Sequence, residues 1–141
     1  MKTKALDAID KELIAQAREL LSRVHYVGKD IHLSVGSALR SASGKQYLGV
    51  NIHNVASAPS SVCAEMSAVS NMASGGEREV ERVVAVRFSK DKKRWNVIPS
   101  CGVCREVLSA FGNPWVIISK SKKARLSELY PLDVSSNTLT V

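Results

Sequence analysis

VERVVAVRF, residues 80–88, contains four consecutive apolar residues, Val83 to Val86, inside a β-branched stretch too short for a helix. Such a run is a strand buried within a sheet. Working upstream, Gly75 and Gly76 end a helix that is expected to begin near Cys63. Before it, NVASAPSS (54–61) holds Pro59 and small polar residues and reads as a loop, with Ser60 or Ser61 available to cap that helix. Downstream, CGVCREVLSAF (101–111) predicts a second short helix, GNP (112–114) stops it, and WVIIS (115–119) predicts another buried strand. In each case the preceding strand is expected to deliver the chain to a helix N-terminus.

The N-terminal third completes the pattern. Leu6, Ile9, Leu13, Ala17, Leu20, Leu21 and Val24 recur at the three-or-four spacing of one helix face. HLSVGSAL (32–39) then alternates Leu33, Val35, Ser37 and Leu39 on one side, SASGK supplies a turn, and QYLGVNI follows, so two antiparallel strands are expected. Helix, hairpin, then helix and strand in alternation predict an α/β fold with three α/β/α layers and a mixed β-sheet, as one domain over residues 1–141.

The chain has 141 residues, a length that needs no disulfide staple, and a net charge of +7. The basic excess gathers in SKDKKRW (89–95) and SKSKKAR (119–125). These read as solvated polar connections, because they lack the interleaved aromatics of a base-stacking surface. Nucleic acid is not expected as a partner. No charged-then-apolar leader is visible, and every apolar run is far shorter than the ~18–20 residues of a membrane span. With three cysteines that cannot all pair, a soluble protein of a reducing, cytoplasmic setting is expected. Trp95 and Trp115 read as packing residues, and His25 and His32 as capping or solvent-facing groups.

The cysteines lie at Cys63, in VCAEM, and at Cys101 and Cys104, in PSCGVCREVL. Cys101 and Cys104 are three apart at a helix start, so both thiols face one point off its first turn. Cys63 holds the same kind of place on the other helix, and the positive end of a helix favours the thiolate. Three such thiolates converging make a zinc site. With no second close pair, the fourth position is left to water unless a histidine fills it, and an open position distinguishes catalytic from structural zinc. Glu65, two residues beyond Cys63, should not be a ligand. Its longer side chain reaches the far side of the activated water and suits a proton shuttle.

Cys-Ala-Glu followed by Cys-x-x-Cys, each at a helix start, is a known signature of zinc-dependent base deaminases, in which the glutamate is not a metal ligand. With VGSAL, GVNIHN and CGVCREVL in the same order, the chain resembles the cytidine deaminase family, blasticidin S deaminase among its relatives, from HLSVGSAL to SELYP. The resemblance implies a Zn²⁺ enzyme acting on a small-molecule nucleoside and a homo-oligomer, commonly a tetramer, with a dimer also open. It implies that Asn51 holds the sugar, that Ala64 and Ser100 border the base, and that His53 stands where the family has a ribose-binding glutamate. Leu33 and Val134 stand roughly where relatives present aromatic rings. Met66 replaces a common arginine, leaving Arg105 as the nearest cation to balance the thiolates, and Pro99 and Ser100 exchange the usual order before Cys101.

The departures fall on the substrate side, so two nucleoside classes stay open: plain cytidine or deoxycytidine, and a sugar-modified antibiotic of the blasticidin S kind. A different class also remains, a non-catalytic zinc module with a histidine as fourth ligand and a nucleic-acid or protein partner. The metal's fourth ligand and the effect of removing Glu65 divide enzyme from module.

Overall fold

The computed structural model describes residues 1–131. Val134 lies outside the described residues. In chain order the elements are β1 (Lys4–Ala5), α1 (Ala8–Val24), β2 (Tyr26–Val27), β3 (Ile31–Leu33), β4 (Val35–Ser41), β5 (Gln46–Val50), β6 (His53–Asn54), a 3₁₀ turn (Ala58–Ser60), α2 (Ala64–Ser74), β7 (Val80–Phe88), β8 (Trp95–Ile98), α3 (Gly102–Ser109), β9 (Trp115–Ile117), β10 (Lys122–Arg125) and α4 (Leu126–Leu129).

The main sheet runs β1-β10-β9-β7-β4-β5, and a small sheet of β2, β3 and β6 flanks it. β7 is its hub. Along one side β7 pairs antiparallel with β4 in the register Ser37 to Ala85. Its other side is shared: Arg82 and Val83 pair parallel with β9, while Ala85 to Phe88 pair antiparallel with β8. The sheet is therefore mixed, and α3 fills the turnaround between β8 and β9.

Alternation along the strands sorts the core into two faces. On one face, Leu13, Ile14 and Ala17 of α1 pack on Ala38, Val84, Val86, Val97 and Ile117. On the other, Ala68, Val69 and Met72 of α2 and Leu108 of α3 pack on Leu39, Val83 and Val116. Leu13, Leu39, Met72 and Leu108 are fully buried, each contributing about 1.5–3 kcal/mol of transfer free energy. Two glycines set how closely the helices approach. A Cβ on Gly36 would lie 2.8 Å from the Ala17 carbonyl oxygen of α1, and one on Gly49 only 2.3 Å from the Ala68 nitrogen of α2. The start of α2 is thereby pressed onto β5.

Four expectations need correction. The alternating stretch 33–39 is not one strand: the Asn51 Oδ1 accepts from the amides of Ser34 and Val35 at 2.8 and 2.9 Å, and Leu33 falls to β3 in the small sheet. Neither Ser60 nor Ser61 caps α2. The Ser60 hydroxyl donates to the Ser57 carbonyl and the Ser61 hydroxyl accepts from the Asn54 amide, while Cys63 itself is the N-cap. No strand leads directly into Cys63 either: after β6 come the 3₁₀ turn and the single bridge between Ile52 and Val62.

The basic segments are not simply solvated connections. Trp95 to Ile98 form β8, and Lys122 to Arg125 form β10 with Lys123 buried. The reason is Asp10, fully buried on α1, which accepts from Lys123 Nζ at 2.6 Å and from Arg82 Nη1 at 2.9 Å. Asp7 caps α1 in a reciprocal box with Asp10 and shares both cations. Both tryptophans pack as expected, Trp95 between Arg18 and Lys120 and Trp115 beneath Arg125.

Candidate active site

Cys63 and Cys101 are the N-caps of α2 and α3, both in extended backbone that turns their side chains off the helix ends. The two helix starts converge over the β7 face. Cys63 Sγ lies 3.7 Å from Cys101 Sγ, and the three cysteine sulfurs all fall within 4.8 Å of one another. Cys104, one turn into α3, is fully buried, whereas Cys101 is exposed. None of the three histidines, all among the described residues, joins this group. His25 closes the end of α1, and His32 faces His53 across β3 and β6 with ring centroids 5.5 Å apart.

Crowding resists ionisation of all three thiols at once. Burial pushes the Cys63 thiol up, with Cys101 and the Glu65 charge adding to it. Burial likewise raises Cys104 far above the ordinary range, reinforced by Glu65. Cys101 alone is lowered: burial opposes, but the Cys104 backbone N–H and the neighbouring thiols outweigh it. A divalent cation is what reconciles such a set, since it holds deprotonated sulfur and offsets the mutual repulsion. The donor chemistry fits zinc, a soft-tolerant ion commonly bound by sulfur.

Glu65 is 4% exposed, in the first turn of α2. Burial raises its carboxyl pKa, opposed by its own backbone N–H, the Ser100 hydroxyl and Cys104. A carboxyl raised in this way gives up and takes back a proton closer to neutral pH than an exposed one. Ser100, equally buried, thus contacts the glutamate and does not line the cavity.

A cavity of about 590 Å³ opens beside these groups, lined by Asn51, His53, Cys63, Ala64, Glu65 and Cys101, with Val35, Ile98, Val62 and Met66 as apolar wall. Since the Asn51 oxygen already bridges two backbone amides, its amide N–H₂ is the end left for a ligand. Leu33 is not part of the lining. Arg105 reaches neither cavity nor thiols as a free charge: Nε donates to the Ser100 carbonyl at 2.9 Å and Nη1 to the Leu129 carbonyl at 3.0 Å, pinning the segment before Cys101 to α4. Val35, Ile98 and Arg87 were not singled out by sequence. All three lie at or next to strand ends, and Arg87 stands two residues beyond buried Ala85 on the same face of β7.

A family model described as the cytidine and deoxycytidylate deaminase zinc-binding region matches residues 7–120. A blasticidin-S deaminase of Bacillus cereus is 30% identical over 144 residues, covering 97% of this chain and all of that protein. The cytidine deaminase of Mycobacterium leprae superposes with a TM-score of 0.72 at 22% identity, over 89% of this chain and 100% of that one. That of Bacillus anthracis gives 0.75 at 21% identity, over 90% of each chain. At these identities the solved structures speak for the fold.

Proposed function

The chain belongs to the cytidine and deoxycytidylate deaminase family, and from that premise we propose that it hydrolyses the exocyclic amine of a cytosine nucleoside to give the uracil form and ammonia. The observation that carries this is the buried Glu65 beside three converging thiols on one cavity wall. Cys63, Cys101 and Cys104 would hold the zinc through Sγ. When bound, zinc acts as a Lewis acid that makes water a competent nucleophile near neutral pH.

Glu65 takes a proton from the attacking water as it adds at C4 of the base. The same carboxyl delivers that proton to ring N3, then takes the second proton from the C4 hydroxyl as the carbonyl forms and passes it to the amine, which leaves as ammonia when the C4–N bond breaks, so one group serves as base and then acid. Ser100 holds that carboxyl, and the Ala64 backbone borders the base. The Asn51 amide faces the sugar, with His53 beside it at the mouth. Val35, Ile98 and Val62 exclude bulk water, which strengthens every polar contact within. Arg105 acts at one remove, by fixing the backbone that presents Cys101. Leu33 has no place in this arrangement.

Around the mouth, Ile52, Val62 and Val103 are exposed, Val103 at 61%. Exposed apolar side chains at the rim of a cavity are what a second copy of the chain would cover, which supports a homo-oligomer, tetramer or dimer. Among the described residues no helix is long and apolar enough to cross a membrane, and free thiols as metal ligands suit a reducing cytoplasm.

A second substrate reading, a blasticidin S-like nucleoside, is favoured by the full-length likeness to a blasticidin-S deaminase and by His53 at the sugar end. Loss of cytosine absorbance with cytidine, deoxycytidine and blasticidin S separates the two. The enzyme reading is tested by Glu65→Gln, which preserves shape while removing the proton acceptor. The variant should retain zinc and fold but lose about 100-fold or more in turnover; near-normal turnover would remove Glu65 from the mechanism.

A further inference from the structure

Two of the three imidazoles meet away from the thiols. In the small sheet β3 and β6 run antiparallel, with His32 directly opposite His53 and Ile31 opposite Asn54. Directly opposed residues of such a pair share one face, their Cβ atoms about 4.5–5.5 Å apart. The two rings have centroids 5.5 Å apart and planes inclined at 40°, between a stack and an edge-to-face contact. No hydrogen bond or ion pair engages either ring among the described residues, so both keep ring nitrogens for an outside partner. His25 differs, packing on Phe88 with its Nε2 buried.

An ion about 2.0–2.1 Å from one nitrogen of each imidazole holds the two ring centroids roughly 5–6 Å apart when the nitrogens subtend a tetrahedral or wider angle at it. The observed separation lies in that window, so the backbone need not move to admit the ion. It is also held. Ile52 and Val62 exchange both backbone hydrogen bonds at 2.9 Å, the Asn54 amide donates to the Ser61 hydroxyl at 2.9 Å, and the Val55 amide donates to the Asp30 carbonyl at 2.9 Å. With His53 fixed from both sides, little ordering remains to oppose binding.

The donors choose the ion. Imidazole suits zinc, nickel and copper, whereas calcium and magnesium require oxygen. No carboxylate or thiol completes the pair among the described residues, so water fills the other positions and the site is weaker than the three thiols. His53 lines the cavity beside Asn51 and Ile52, while His32 stands back from the wall. An ion shared by both rings, with its water shell, occupies the rim through which a sugar enters.

We propose that His32 and His53 form a second metal site, for a divalent imidazole-binding ion such as Zn²⁺, and that its occupation obstructs the cavity and inhibits turnover. The binding stands on the histidine pair alone; the inhibition rests on the deaminase reading above. Activity then rises with free zinc as the thiols fill and falls as the histidines do.

The test titrates the zinc-loaded full chain with further Zn²⁺ by calorimetry and follows cytidine turnover over the same range. Wild type should show a second, weaker binding event, and turnover should fall as that site fills. His32→Gln and His53→Gln should each weaken the second event by about tenfold or more, since even an outer partner of a metal ligand is worth that much. In His32→Gln basal turnover should persist, while the inhibition curve moves to about tenfold higher zinc or beyond. No second event in wild type, or one unchanged in both variants, overturns the site. A second event without loss of turnover, or inhibition unmoved in His32→Gln, overturns the obstruction. If no cytosine nucleoside is turned over, the deaminase reading fails, and the calorimetric comparison still judges the histidine site.

Discussion

Gly49→Ala is the substitution with the sharpest structural forecast. The added Cβ would sit 2.3 Å from the Ala68 nitrogen, 2.7 Å from the Ala64 oxygen and 2.8 Å from the Ser67 carbonyl carbon. All three are backbone atoms of one helix, so no side chain can rotate away. Restoring ordinary contact requires α2 to retreat by about 1 Å, loosening Ala68 and Met72 against the sheet at a cost of about 2–3 kcal/mol. For a domain of this size that lowers the melting temperature by about 6–12 °C. The retreat acts at the end of α2 that carries Cys63 and Glu65, so zinc affinity and turnover should fall with stability. Gly76→Ala is the comparison: its φ of 88° strains any side chain, but nothing lies within 4 Å, and it should cost about 1–2 kcal/mol without touching zinc. Calorimetric melts and competition with a chelating dye read both quantities. A Gly49→Ala protein melting within about 2 °C of wild type with unchanged zinc affinity would refute the argument that β5 fixes the metal ligands.

Two further outcomes concern the ionic cluster under α1. Asp10→Ala leaves Lys123, 6% exposed at its side chain, without its closest carboxylate, and urea unfolding should show a loss of about 3–5 kcal/mol. Asp10→Leu combined with Lys123→Met should recover much of it, because two well-packed apolar groups replace a buried pair without leaving a charge unpaired. Asp7 sets an acid limb: the Asp10 backbone N–H, with Arg82, holds its carboxyl well below the usual carboxylate range. A depressed folded-state pKa gives stability that is present above the unfolded value near ~3.9 and lost as pH falls through the folded one. The melting temperature of Asp7→Asn should therefore fall less than that of wild type on acidification below about pH 4.

β7 was legible because Val83 to Val86 are apolar on both faces, as only a central strand requires. β8 was not: Trp95, Asn96, Val97 and Ile98 follow a basic run, and Val97 alone is fully in the core. β10 was hidden for a stronger reason, since the partner that permits Lys123 to be buried is Asp10, 113 residues away, and no local pattern encodes it. The metal ligands could be read because spacing within a helix turn fixes where side chains go. The cavity wall away from the thiols could not, because Asn51, Val35 and Arg87 meet through the register of three strands. Asn51 was singled out by resemblance, whereas its bond to the Ser34 and Val35 amides, which splits the expected strand, follows only from the fold.

The shared side of β7 bears on the order in which this chain can assemble. β8 and β9 dock end to end along one strand, and Cys101 and Cys104 ride in the turnaround between them. The hairpin of β4 and β5 and the helices α1 and α2 can gather around β7 while that turnaround is still open. The cluster of sulfurs exists only with β8, α3 and β9 in place, because Cys101 and Cys104 ride between those strands. An ion that recognises all three thiolates consequently discriminates the finished sheet from every partly built one. By mass action a bound ion stabilises the docked arrangement against any in which β8, α3 and β9 have come away from β7.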